Sequence, residues 1–175
     1  MAGISFPTDL EKYMSAPAFS RTTRPFNSRR TERQLFIAGL VAMAKINTPR
    51  VLYIEDHEET RELVTLVLEQ KSYEVVTGST IKNGVDLAGT QDFDLYLLDS
   101  WLPDGSGLDL CRQIRQFDKA TPIVFYSAAA YEIDRDEALS SGAQAYLVKP
   151  SPPSDLCNLV TSLIESHRRY RRVAV

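Results

Sequence analysis

The chain has 175 residues, 43% of them hydrophobic and 25% charged, with a formal net charge of −3. Length and composition point to one ordinary soluble globular domain with room for a sizeable core, and the charge argues neither for nor against nucleic acid as a partner. The two cysteines, Cys111 and Cys157, have no metal-like spacing, which speaks against a disulfide framework and fits a reducing, cytoplasmic setting.

Residues 1–48 carry seven basic and three acidic side chains, a net +4 that leaves −7 for the remainder. With scattered Pro, Ser, Thr and Arg, they read as a flexible extension before an acidic body. The apolar run at residues 35–44, LFIAGLVAMA, is half the roughly 20 residues a bilayer requires and too far from Met1 for a secretion signal. No membrane span and no secretion are expected. Three readings of the extension stay open. One is a tail with a short helix over residues 32–46 that docks on the domain or a partner. Another is a nucleic-acid arm, against which the lack of aromatic interleaving and of a dense basic block speaks. The third is an upstream start, because Met43-Ala-Lys-Ile-Asn-Thr-Pro reads like a protein beginning.

From Arg50 on, strand-like and helix-like segments alternate. Residues 51–54 read as a short apolar strand ending in Glu55-Asp56, and 60–71 as a helix with Leu63, Leu66, Val67 and Gln70 at helical spacing. Residues 73–77 make a second strand before Gly78, and Ile81, Val85 and Ala88 stripe a second helix. Residues 93–98 are a third strand, largely apolar on both faces, ending at Asp99. Pro103-Asp-Gly-Ser-Gly is turn chemistry, and Leu108, Cys111 and Ile114 mark a third helix. Residues 123–126 form a fourth strand ending at Ser127. Residues 134–141 suit a helix closed by Gly142, and 145–148 a fifth strand ending at Lys149-Pro150. Ser154 is the expected N-cap of the last helix, striped by Leu156, Leu159, Val160, Leu163 and Ile164. The cations of residues 167–172 suit that helix's C-terminus. Five strands alternating with five helices imply a parallel sheet with helices on both faces and right-handed crossovers. Ligands of such sheets sit beyond the carboxyl ends of the strands.

At those ends stand Glu55 and Asp56, Asp99, Ser127 and Lys149. Converging on one edge, three carboxylates repel and call for a hard divalent cation such as magnesium, which takes carboxylate and phosphate oxygens. A lysine suits phosphate as a point charge. A carboxylate nucleophile, a metal site, a hydroxyl and an ammonium together make the set that phosphoryl transfer needs. Alone, each has a plain structural reading: a helix cap, a turn residue, a solvated charge. Their joint occurrence, in order and each at a strand end, is what carries the chemistry.

The segments VLYIEDHEETRELV, FDLYLLDSWLPDGSGLDLCRQIR, PIVFYSA and GAQAYLVKP resemble the receiver domain of bacterial two-component response regulators, the family that includes the chemotaxis protein CheY. The resemblance covers about residues 49–167 and implies a flavodoxin-like, doubly wound α/β fold with strand order 2-1-3-4-5. It implies Asp99 as phosphoacceptor, with Mg²⁺ held by Asp56 directly, Glu55 through water, Asp99 and the backbone carbonyl of Trp101. It makes Ser127 the hydroxyl that moves toward the phosphoryl group, and Ala128 the small residue that leaves access. Lys149 becomes the phosphate's partner, before a Lys149-Pro150 bond often cis in the family, and Tyr146 an aromatic switch that turns inward on activation. Two departures stand out. Trp101 and Ala129, two residues past Asp99 and Ser127, cannot position an attacking water, so a long-lived phosphoryl state is expected. Ser151-Pro-Pro replaces a bulkier apolar residue and stiffens the approach to the last helix.

The expected function is that of a single-domain receiver, residues 49–175, phosphorylated by a histidine kinase, a phosphotransfer protein or a small phosphodonor, and signalling through protein contacts. No enzymatic activity beyond its own phosphorylation and dephosphorylation is expected, and neither nucleic acid nor membrane as a partner. A phosphorylation-independent module of the same fold is the alternative. An aspartate-nucleophile phosphatase would want a second Asp where Trp101 stands. An FMN-binding protein would want a phosphate loop where Asp56-His57-Glu58-Glu59 would repel phosphate.

Overall fold

The computed structural model describes residues 34–37 and 48–173 of the chain. The chain divides into two units between Met43 and Ala44, whereas composition places the change at residues 48–49. In the first unit residues 34–37 are helical, with Leu35 and Phe36 both 68% exposed. They fall within the helix expected over residues 32–46; the rest of that helix and the proposed start at Met43 lie outside the described residues.

The second unit runs β1 (Arg50–Ile54), α1 (Glu58–Glu69), β2 (Glu74–Gly78), α2 (Ile81–Thr90), β3 (Leu95–Leu98), a two-strand ribbon of β4 (Trp101–Leu102) and β5 (Gly105–Ser106), α3 (Gly107–Phe117), β6 (Ile123–Ser127), α4 (Glu132–Ser140), β7 (Ala145–Val148) and α5 (Pro153–Val173). The main sheet is wholly parallel in the order β2-β1-β3-β6-β7, which is 2-1-3-4-5 when its five strands alone are counted. The three inner strands, β1, β3 and β6, are short apolar runs buried on both faces, the pattern of a parallel sheet covered twice, while the edge strands β2 and β7 are only half-buried. Alternation along β1 and β3 splits the core in two. Leu52, Ile54, Tyr96 and Leu98 pack under α2, α3 and α4 with Ile81, Leu110, Ile114 and Ala138. Val51, Tyr53, Leu95 and Leu97 pack under α1 and α5 with Val64, Leu68, Leu156, Val160 and Ile164. Each fully buried Leu or Ile contributes about 1.5–3 kcal/mol of transfer free energy.

Expectations change at several element ends and on one helix face. Helix α1 starts at Glu58 rather than Thr60, because His57 caps it: its Nδ1 accepts from Thr60 N at 3.4 Å. Its buried side is Val64 and Leu68, while the expected stripe leaves Leu63 and Leu66 62% and 55% exposed. Apolar residues at 63, 64, 66, 67 and 68 encircle the helix, so periodicity alone leaves its phase open. Strand β3 begins at Leu95, not Phe93. Helix α5 begins at Pro153, so Ser154 lies in its first turn, bonded to Asp155 Oδ1 at 3.2 Å; proline is favoured at that first position.

Candidate functional site

The parallel ladder continues one residue past the strands. Glu55 N donates to Gly78 O (3.0 Å), Asp99 N to Ile54 O (2.9 Å) and Lys149 N to Ser127 O (2.8 Å). Backbone pairing therefore sets Glu55, Asp99 and Lys149 in a row along the carboxyl edge, with Asp56 following on the β1–α1 loop. Glu55 and Asp99 are only 3% and 8% exposed, and Asp56 is open to solvent. Oxygens of the three carboxylates lie within 4.8 Å of one another. At that separation like charges repel by on the order of 3 kcal/mol per pair at an effective dielectric near 20.

Among the described residues, one side-chain cation bonds these carboxylates. Lys149 Nζ donates to Glu55 Oε2 and, at 3.3 Å, to Asp99 Oδ1. It also stands 5.2 Å from the centre of the Tyr126 ring. One positive against three negative charges leaves the cluster two charges in deficit. The donor set is all hard oxygen, with one carboxylate facing water, and so fits a divalent cation of the magnesium class.

Glu55 has two further partners. Tyr53, fully buried two residues upstream, donates its hydroxyl to the same Oε2 at 2.8 Å, and His57 N donates to Oε1 at 3.4 Å. Burial, then the charge of Glu55, pushes the Tyr53 phenol far above its ordinary range, so it keeps its proton and stays a donor. Arg61, on the second turn of α1, clips the loop by donating to the carbonyl oxygens of Glu55 (2.7 Å) and Asp56 (3.2 Å).

The remaining expected residues sit around this row. Trp101 is 68% exposed on β4, two residues past Asp99. Ser127 is fully buried at the end of β6, and its hydroxyl accepts from Ala129 N at 3.4 Å rather than meeting the carboxylates. Ala128 is exposed. The Lys149-Pro150 bond is cis. Tyr146 already points in. Its ring stacks on Phe125 with centroids 6.1 Å apart, and its hydroxyl donates to Ala129 O at 2.8 Å and lies 3.5 Å from Ser100 Oγ. The expectation reserved that orientation for the activated state; here the room between Ser100 and Ala129 is filled by the phenol.

Residues 51–161 match the response regulator receiver domain. The chain belongs to that family. Among the receiver's curated relatives, Response regulator ArlR of Staphylococcus saprophyticus is 34% identical over 115 residues, covering 66% of this chain and 52% of ArlR. The Transcriptional regulatory protein ResD of Bacillus subtilis is 30% identical over 122 residues, 70% of this chain and 50% of ResD. The chain thus spans about half the length of these relatives. The non-phosphorylated HemR receiver domain from Leptospira biflexa superposes with a TM-score of 0.63 at 33% identity, covering 67% of this chain and 94% of that one. A CheY-like receiver domain from Methanospirillum hungatei, 24% identical with a TM-score of 0.68, covers 71% of this chain and 99% of its own and agrees in fold.

Three contributors escaped the sequence reading. Tyr53 and Arg61 look like a core aromatic and a helix-surface cation, and no local pattern marks either. Gly107 reads as part of a turn, yet it opens α3: a Cβ there would sit 1.9 Å from Asp99 O, and its N–H donates to Ser100 O at 2.8 Å. The glycine lets α3 start hard against the backbone of the site.

Proposed function

We propose that the receiver accepts a phosphoryl group on Asp99 and passes the change on through protein contacts. The observation that carries this reading is the clustering of Glu55, Asp56 and Asp99, with the Lys149 amine bonded to Glu55 and Asp99. In the proposed step an Asp99 carboxylate oxygen forms a bond to phosphorus, and the bond from phosphorus to the donor's imidazole nitrogen or acyl oxygen breaks with its electron pair leaving on the donor. Glu55, Asp56, Asp99 and the Trp101 carbonyl would hold Mg²⁺, which when bound neutralises charge on the transferring group. Lys149, already 3.3 Å from Asp99, turns from Glu55 toward the new dianion. Ser127 exchanges the Ala129 amide for a phosphoryl oxygen, and the β6–α4 loop follows. A local charge event thereby biases a two-state element. Tyr146 is in place to hold that loop, through Ala129 O, in the shifted arrangement.

The donor is a phosphohistidine of a kinase or phosphotransfer protein, or a small acyl phosphate. The chemistry ends with loss of the phosphoryl group and turns over no other substrate. A cytoplasmic setting accords with two free, buried thiols. The test is incubation with acetyl phosphate and Mg²⁺, comparing wild type with Asp99→Asn on a phosphate-retarding gel. Wild type is expected to shift and Asp99→Asn to show no label; equal labelling would sink the assignment. Because neither Trp101 nor Ala129 can orient water, the purified phosphoprotein is expected to persist for many minutes, and loss within seconds would contradict that.

A further inference from the structure

We propose that Tyr53 is a positioning residue for the phosphorylation site, a fixed donor that holds Glu55 while Lys149 moves. The inference rests on the proposed function above and extends it to a residue one layer below the cluster.

Glu55 Oε2 takes two donors, Tyr53 Oη at 2.8 Å and Lys149 Nζ. They differ in freedom. The lysine is the mobile one: its side chain is 15% exposed, and it is shared with Asp99. The tyrosine cannot leave. Its backbone is paired on both sides in the sheet, opposite Thr77 and Leu97, and its ring is fully buried in the core with Val51, Leu97 and Val124.

Without the Tyr53 hydroxyl, Glu55 would keep one long contact when Lys149 turns toward a phosphoryl group, the His57 amide at 3.4 Å on Oε1. A carboxylate only 3% exposed and stripped of its strong donors is costly. The Tyr53 hydroxyl removes that cost, because its bond to Oε2 exists before and after the lysine moves. It also fixes which oxygen is occupied, leaving Oε1 as the one with lone pairs to offer. A phenylalanine would fill the same core space, so the hydroxyl is not there for packing. A buried phenol is tolerated where it finds a partner, and this partner belongs to the site. Groups that orient a ligand from behind typically change metal affinity by 10- to 100-fold when removed.

Trp101 is the chain's one tryptophan, two residues past Asp99, and its fluorescence reports on the site. The test is a Mg²⁺ titration of Trp101 emission in wild type and Tyr53→Phe, with thermal unfolding of both. Tyr53→Phe is expected to bind Mg²⁺ roughly 10-fold more weakly with an unfolding midpoint within a few degrees of wild type. A folded Tyr53→Phe with an affinity within twofold of wild type overturns the inference. Should Tyr53→Phe fail to fold, Tyr53→Leu is read by the same two measurements and the same criteria. A wild type that gives no Mg²⁺ response sinks the metal site itself, and the inference with it. Failure of the Tyr53 inference alone instead leaves wild-type binding intact.

Discussion

At the amino edge of the sheet, Asp94 and Asp118 are supplied with donors; at the carboxyl edge, Glu55 and Asp99 share the Lys149 amine and Asp56 lies open beside them. Asp94 takes a two-pronged contact from Arg168, at 2.7 and 2.9 Å, and the Arg50 amide at 2.8 Å. Asp118 takes Tyr96 Oη at 2.9 Å and the amides of Ala120 and Thr121 at 2.9 and 3.0 Å. Burial alone would raise the Asp118 carboxyl, but the bonds from Thr121, Ala120 and Tyr96 outweigh it and bring the group to about 2. Arg50 knits the same edge, bonding Glu74, Gln91 and the Asp92 carbonyl and lying 4.9 Å from the centre of the Phe93 ring. These carboxylates are finished: their charge is spent on holding β1, β3 and α5 together. The carboxyl edge is left short of positive charge, a condition that costs stability and makes a seat for a cation. Stability and function occupy opposite ends of the same strands.

Breaking each edge in turn should expose the difference. Lys149→Met leaves Glu55 and Asp99 facing each other without their cation and should lower folding stability by about 3 kcal/mol in the presence of a chelator. Urea unfolding with millimolar Mg²⁺ should recover much of that loss, because a ligand of the folded state stabilises by mass action. Arg168→Met removes the partner of Asp94 and should cost about 1–2 kcal/mol, with no recovery in Mg²⁺. Equal metal dependence of the two variants would erase the distinction between the edges.

The smallest effect sharpens the amino edge alone. The folded pKa of Asp118, about 2, lies below the unfolded value of about 3.9. Its contribution is therefore complete above about pH 4 and is lost as pH falls toward 2. Since the group is half-buried at the surface, screening brings the contribution to about 1 kcal/mol. Asp118→Asn should flatten the acid limb of the stability curve by that amount between pH 4 and 2, and an unchanged limb would show that the hydrogen bonds do not favour the ionised carboxyl.

Most of the fold is legible in the amino-acid sequence. The alternation of short apolar runs with 3.6-residue stripes placed all five sheet strands to within two residues, and the resemblance to receiver domains implied their order. The row of Glu55, Asp99, Ser127 and Lys149 was legible for the same reason. In a parallel sheet every strand points one way, so residues that end strands must share an edge. The face of α1 was not legible, because its apolar residues surround the helix and only the sheet beneath chooses among them. The ribbon of β4 and β5 also escaped, hidden inside turn chemistry.

What the amino-acid order determined by itself, then, was local: period, strand ends, turns, and the backbone register that lines up the site. Tertiary structure alone decided how the side chains of the site divide their hydrogen bonds. Lys149 reaches Glu55 across 94 positions, Tyr53 slips a hydroxyl beneath the same carboxylate, and Ser127 and Tyr146 both meet Ala129. Periodicity is a property of neighbours along the chain and can be read from it. The sharing of a single lysine depends on which side chains packing brings within 3 Å or so, and that is settled only when the helices close over the sheet.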